Sequence, residues 1–80
     1  MQVQLSGAIR DAAGGRSSID VEADTVRELL RKVGEQFPRA ESLLQDGVAV
    51  SINGQIYRDN WGQKIPPDAE VFLLPRIPGG

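Results

Sequence analysis

Apolar and polar residues alternate with a period of two in the first part of the chain. In "QVQLSG" the apolar Val3 and Leu5 share one side and polar residues occupy the other, which is typical of a half-buried strand. Gly14-Gly15 in "IRDAAGGR" predicts a turn. The segment "SSIDVEA" then alternates again, with one side made of Ile19, Val21 and Ala23. The pattern therefore predicts two strands, paired antiparallel.

The spacing changes in "DTVRELLRKVGEQFP", which predicts an amphipathic helix. One apolar stripe at helical spacing comprises Val26, Leu29, Leu30, Val33 and Phe37. Thr25 with Glu28 three residues later fits a capping box, and Asp24 is the rival cap. Pro38 predicts the end of the helix.

Three further strands are predicted in the second half. Leu43 and Leu44 in "ESLLQDG" are expected to cover the core from an irregular turn, and "VAVSI" alternates as a strand. Asn53-Gly54 predicts a type I′ hairpin into the short strand "QIY". The turn "PPDA" leads into the last strand, "EVFLLP".

The last strand has two apolar faces. Val71 and Leu73 point one way, and Phe72 and Leu74 point the other. Because a helix covers only one face of such a sheet, we expect Ile56, Phe72 and Leu74 to form an outward apolar patch that contacts a partner protein. The alternative is that Ile56 and one of the other two complete the core.

The order strand, strand, helix, strand, strand, strand predicts an α+β fold of the β-grasp type, a mixed sheet packed on one main helix. In that arrangement the last strand lies centrally beside the first. We expect residues 1–75 to form this domain and residues 76–80 to form an exposed, flexible Gly-Gly tail.

Composition excludes several classes of function. The 80 residues carry a net charge of -2 and contain no cysteine and no histidine, which argues against nucleic-acid binding, disulfides, typical metal sites and imidazole catalysis. No stretch predicts a membrane span or a signal peptide, so the expected location is the cytoplasm. The acids Asp59, Asp68 and Glu70 lack an accompanying nucleophile or base, so we do not expect an enzyme.

The chain resembles the ubiquitin-like sulfur-carrier proteins of the MoaD/ThiS family over nearly its whole length. The resemblance is carried by "IRDAAGG", by the capped "DTVRELL" helix ending in "FP", by "SINGQ", and most specifically by "PPDAEVFLLPRIPGG". It implies that an ATP-dependent activating enzyme adenylates the carboxylate of Gly80, which a sulfur donor then converts to a thiocarboxylate. The carrier itself binds no cofactor, since the partner uses the ATP.

A tail of this composition suits such chemistry. Gly79 and Gly80 have no side chain to block a narrow channel or attack on the carbonyl carbon, and Pro78 favours an extended path. Arg76 is expected to pair with acids at the partner's entrance.

The resemblance leaves the recipient of the sulfur open. A molybdopterin synthase is favoured over a thiazole synthase, a cysteine-forming enzyme or another pathway-specific synthase. The main alternative function is a ubiquitin-like modifier conjugated through Gly80 to lysines, and a third is a non-covalent adaptor.

Overall fold

The computed structural model describes residues 1–58 and 60–75. Its regular elements are, in chain order, β1 (Gln2–Leu5), α1 (Gly7–Ala12), β2 (Ser18–Asp20), α2 (Val26–Gln36), a 3₁₀ turn (Pro38–Ala40), α3 (Glu41–Asp46), β3 (Val48–Ile52), β4 (Gln55–Tyr57) and β5 (Val71–Pro75).

The five strands form one mixed sheet in the order β2-β1-β5-β3-β4. β1 and β5 are parallel, whereas the other neighbouring pairs are antiparallel. The predicted β-grasp is therefore confirmed, including the central position of the last strand beside the first.

The core lies between the sheet and α2. Val3, Val71 and Leu73 from the sheet and Val26 and Leu29 from α2 are all fully buried. Burial of such side chains contributes roughly 1.5–3 kcal/mol each. The predicted stripe is largely right, but Leu30 and Phe37 are only partly buried at its margin.

Thr25 is the N-cap of α2, as predicted. Its Oγ1 accepts a hydrogen bond from the amide of Glu28 at 3.2 Å, so Thr25 and not Asp24 caps the helix. The Glu28 carboxylate pairs with Lys32 at 3.2 Å, on the next turn of the helix.

Two short helices were not predicted. Residues 7–12, expected to lie in a connection, form α1, and its Ile9 is 1% exposed in the core. Leu43 and Leu44 reach the core from α3 instead of from an irregular turn. Each helix has only six residues, which is too short for a helical period to stand out in the sequence.

The predicted turns are confirmed. Gly14 and Gly15 have φ of 75° and 84°, and Asn53-Gly54 forms the hairpin with φ of 51° and 87°. The Asn53 side chain also accepts a hydrogen bond from the Glu70 amide at 2.9 Å, which ties the hairpin to the start of β5. None of the described helices has the length and hydrophobicity needed to cross a bilayer.

Candidate functional site

The predicted reactive tail, comprising Gly80, Gly79, Pro78 and Arg76, lies outside the described residues. What the structure describes is the position from which that tail departs. β5 ends at Pro75 and is hydrogen-bonded on both sides, to β1 and to β3. The tail is therefore attached to the central strand of the sheet.

The end of β5 is also supported by the segment that follows β1. Pro75 pairs with Val48 on one side, and on the other its ring faces Gly7, the first residue of α1. The Ser6 hydroxyl donates a hydrogen bond to the Leu73 carbonyl at 3.3 Å. The root of the tail thus lies between β3 and the Ser6-Gly7 corner.

The outer face of the sheet carries the predicted apolar patch, which we define as Ile56, Phe72 and Leu74. Phe72 is 36% exposed and Ile56 is 51% exposed. The strand register places Ser51 directly between them, since it pairs with Phe72 on one side and with Ile56 on the other. These two large side chains therefore flank a small, buried serine.

Leu74 adds a second row to the outer face. It pairs with Ala49 and is partly buried, two residues along β5 from Phe72 and next to Pro75. The fully buried residues of β5 are Val71 and Leu73. Because Ile56 is 51% exposed, the alternative that Ile56 and one of Phe72 or Leu74 complete the core is wrong, whereas a role of the patch in partner binding stays a prediction.

A groove of about 400 Å³ lies between α2 and α3. Leu30, Gly34 and Leu44 line it, with charged residues at the rim. The rim residues Arg31 and Glu35 pair with each other at 2.9 Å. No hydroxyl or amine nucleophile lines this groove, so it offers no catalytic arrangement of the usual kind.

Two of the three acidic residues that the sequence analysis singled out are described by the structure. Asp68 and Glu70 are exposed on the approach to β5, and Asp59 lies outside the described residues. In the part of the chain that the structure describes, no three His, Cys, Asp or Glu side chains are grouped so as to hold a metal ion.

One titratable group is clearly perturbed, at the opposite end of β1 from the tail root. The Met1 ammonium pairs with Glu22 at 2.8 Å and with Asp20 at 3.1 Å. Hydrogen bonds to Glu22 and then Asp20 raise the pKa of this amine above its usual value of 8.0. The contact fastens the start of β1 to the segment that contains the end of β2.

Ser6 and Gly7 were not predicted to belong to the site. The only local signal was the Ser-Gly pair directly after a strand, which predicts a turn. Their contacts with Leu73 and Pro75 join the two ends of the chain, and no local pattern reports a contact of that kind.

The comparisons with known proteins agree with this architecture. The sequence profile of the ThiS family matches residues 3–80. No curated protein sequence matches the chain significantly.

Several solved structures share the fold. SAMP1 from Haloferax volcanii, a small archaeal modifier protein, is 27% identical, with a TM-score of 0.73 over 100% of this chain and 98% of its own. A chain of the BexX/CysO complex from Amycolatopsis orientalis is 21% identical, with a TM-score of 0.73 over 99% and 98%. A Pyrococcus furiosus protein described as molybdopterin converting factor, subunit 1, is 18% identical, with a TM-score of 0.71 over 95% of each chain.

Proposed function

The chain belongs to the ThiS family, and from that membership we propose that it is a sulfur carrier that works through the carboxylate of Gly80. A carboxylate oxygen attacks the α-phosphate of ATP on an activating enzyme, and pyrophosphate leaves. A persulfide or sulfide donor then attacks the acyl carbon and displaces AMP. With sulfide, this step gives the thiocarboxylate of Gly80 directly. With a persulfide it gives an acyl disulfide, which a thiol reductant then cleaves: the thiocarboxylate leaves, and the thiol forms a disulfide with the donor.

The observation that carries this proposal is that the central strand of the sheet leads directly into the segment that ends in Gly-Gly. β5 ends at Pro75 in the centre of the sheet, and the five residues beyond it are Arg-Ile-Pro-Gly-Gly. Extended, five residues span roughly 17 Å, which is long enough to enter a channel in another protein. The chain thus acts as a protein substrate and supplies no catalytic group beyond its own carboxylate.

We propose that the outward apolar patch docks the activating enzyme and then the recipient. Its members Ile56 and Phe72 are exposed in the described fold, and Leu74 adjoins the root of the tail. Clusters of exposed apolar residues of this kind are typical of protein interfaces. Docking on this face would bring both partners to the strand from which the tail departs.

We favour a molybdopterin synthase as the recipient, with a thiazole synthase and a cysteine-forming enzyme as alternatives. A synthase subunit that stays associated requires apolar contact area, which the patch supplies. The dependence on ATP also favours a cytoplasmic location.

A ubiquitin-like modifier is the second candidate, and the 27% identity to a small archaeal modifier protein supports it. Such a protein uses the same adenylate but transfers its acyl group to a lysine amine. Of the two lysines here, Lys32 is paired with Glu28 and with the Glu22 carbonyl, whereas Lys64 is exposed. Conjugation to other copies of this chain would therefore depend mainly on Lys64.

Intact-protein mass spectrometry of the chain isolated from its own cells tests the proposal. A mass increase equal to the replacement of one oxygen by sulfur at Gly80 supports a carrier. Isopeptide adducts to lysines with no thiocarboxylate would instead establish the modifier.

Deletion of Gly80 gives the matching functional test. The variant should lose ATP-pyrophosphate exchange with the activating enzyme, because a tail one residue short misplaces the carboxylate by about 3.3–3.6 Å. Its unfolding transition should be unchanged, since Gly80 lies beyond β5. Normal exchange by this variant would refute the assignment of Gly80.

A further inference from the structure

We propose that Gly7 is a positioning residue for the tail: it supports Pro75 and so fixes the direction in which the chain leaves β5. The inference rests on the proposed function, because it assigns Gly7 a role in presenting the Gly80 carboxylate.

The contact between Gly7 and Pro75 is unusually close. A Cβ placed on Gly7 would lie 3.0 Å from Cγ of the Pro75 ring and 3.6 Å from its Cδ. The first distance is shorter than ordinary van der Waals contact between carbons, which is about 3.5–4.0 Å. A side chain at residue 7 would therefore require the Pro75 ring to shift by a few tenths of an ångström.

Gly7 also has a φ of 59°, in the left-handed region that favours glycine. Backbone conformation alone does not explain its placement beside Pro75, as Gly14 and Gly15 show. They have φ of 75° and 84°, but no neighbouring atom lies within 4 Å of the point that a Cβ would occupy on either residue. These two residues provide the same backbone conformation without the contact, and so serve as internal controls.

The segment that carries Gly7 is held firmly against β5. Leu5 pairs with Leu73 in the parallel ladder, and the Ser6 hydroxyl bonds the Leu73 carbonyl at 3.3 Å. On the other side of Gly7, α1 is anchored by Ile9, which is 1% exposed in the core. Gly7 therefore cannot move away freely, and a side chain added there would displace the Pro75 ring.

Pro75 is the residue at which such a displacement matters. Its Cδ is bonded to its own backbone nitrogen, so a displacement of the ring that puckering does not absorb is passed on to the backbone. The next five residues span roughly 17 Å when they are held extended in a partner's channel, and in that state a rotation of about 10° at their base moves the far end by about 3 Å. Misplacement of a reacting atom by about 1 Å can already cost 10²-fold in rate.

The experiment compares Gly7→Asn with Gly14→Asn. Asparagine tolerates positive φ better than most residues but carries a Cβ, so both variants keep the turn and only the first crowds Pro75. ATP-pyrophosphate exchange is measured with the adenylating enzyme that is captured from the same cells by the wild-type chain. We expect Gly7→Asn to lower kcat about ten-fold or more with KM for the carrier within about two-fold, and Gly14→Asn to change neither.

A second substitution, at Pro75, tests whether the lower activity of Gly7→Asn comes from crowding of Pro75 or from general damage to the fold. Pro75→Ala removes Cγ, the atom nearest to the new Cβ. The double variant Gly7→Asn/Pro75→Ala should therefore regain activity relative to Gly7→Asn, whereas Gly14→Asn and Pro75→Ala should combine additively. Equal kcat for Gly7→Asn and Gly14→Asn, or no rescue, would overturn the proposal.

A measurement that needs no enzyme distinguishes an incorrect role for Gly7 from an incorrect proposed function. Residual dipolar couplings of the Arg76 amide should change in Gly7→Asn and not in Gly14→Asn. If the wild-type chain is not adenylated, the carrier function is wrong, and these couplings alone decide whether Gly7 orients the chain. Unchanged Arg76 couplings in folded Gly7→Asn would refute the orienting role.

Discussion

Leu29 and Leu30 are adjacent on α2, and replacing each by alanine tests which face of the helix the sheet covers. Leu29 is 0% exposed, whereas Leu30 is partly buried at the groove between α2 and α3. Both substitutions change helix propensity by the same small amount. A difference between the two variants therefore reports burial.

The magnitudes follow from the structure. Leu→Ala removes three carbons, worth roughly 2.4 kcal/mol of transfer free energy at full burial, and a closed site adds a cavity cost. We expect Leu29→Ala to lower the free energy of unfolding by about 2–5 kcal/mol. Leu30 borders an open groove that water can enter, so its replacement should cost only about 1–2 kcal/mol.

Urea denaturation followed by circular dichroism measures both values. A domain of this size is stabilised by roughly 4–12 kcal/mol in total, so Leu29→Ala should shift the midpoint strongly while the m-value stays unchanged. A loss for Leu30→Ala that equals or exceeds the loss for Leu29→Ala would show that the buried face of α2 is wrongly placed.

Two further predictions concern the outer face and the amino terminus. Leu74→Glu should weaken the complex with the activating enzyme in a pull-down titration, because it places an unpaired charge in the proposed interface. The control Gln36→Glu adds the same charge at an exposed position of α2 and should leave the affinity unchanged. Equal affinities for the two folded variants would remove Leu74 from the interface. For the 80-residue chain with a free amino group, the raised pKa of the Met1 amine predicts a stabilisation that is complete below pH 8 and is lost as pH rises through the folded-state pKa. Thermal unfolding from pH 7 to 10 should show this loss relative to an N-acetylated chain, and parallel curves would contradict it.

The sequence predicted β1 and β5 well because buried and less buried residues alternate along each of them, which imposes a period of two. It also predicted the exposure of Phe72, since the residues on either side of it, Val71 and Leu73, had to face the helix. Residues 7–12 were not predicted to be helical because a six-residue helix shows less than two turns of periodicity.

The partial burial of Leu30 and the contact between Gly7 and Pro75 could not be predicted, for a different reason. Both depend on how separate elements approach one another in space. Leu30 is partly exposed because α3 leaves a groove beside α2, and α3 was itself not predicted. The position of Gly7 matters only because β1 and β5 are parallel neighbours, which brings residues from opposite ends of the chain together.

The parallel pairing of β1 with β5 also determines how the domain responds to mechanical force. A pull on the chain beyond Pro75, against an amino terminus held in place, draws two parallel neighbours in opposite directions along their length. Their hydrogen bonds are then loaded together in shear and cannot open one at a time from an end. β3 adds a second ladder on the other side of β5. Withdrawal of a tightly held tail from a partner would therefore strain the interface between the proteins before it unravelled the strand.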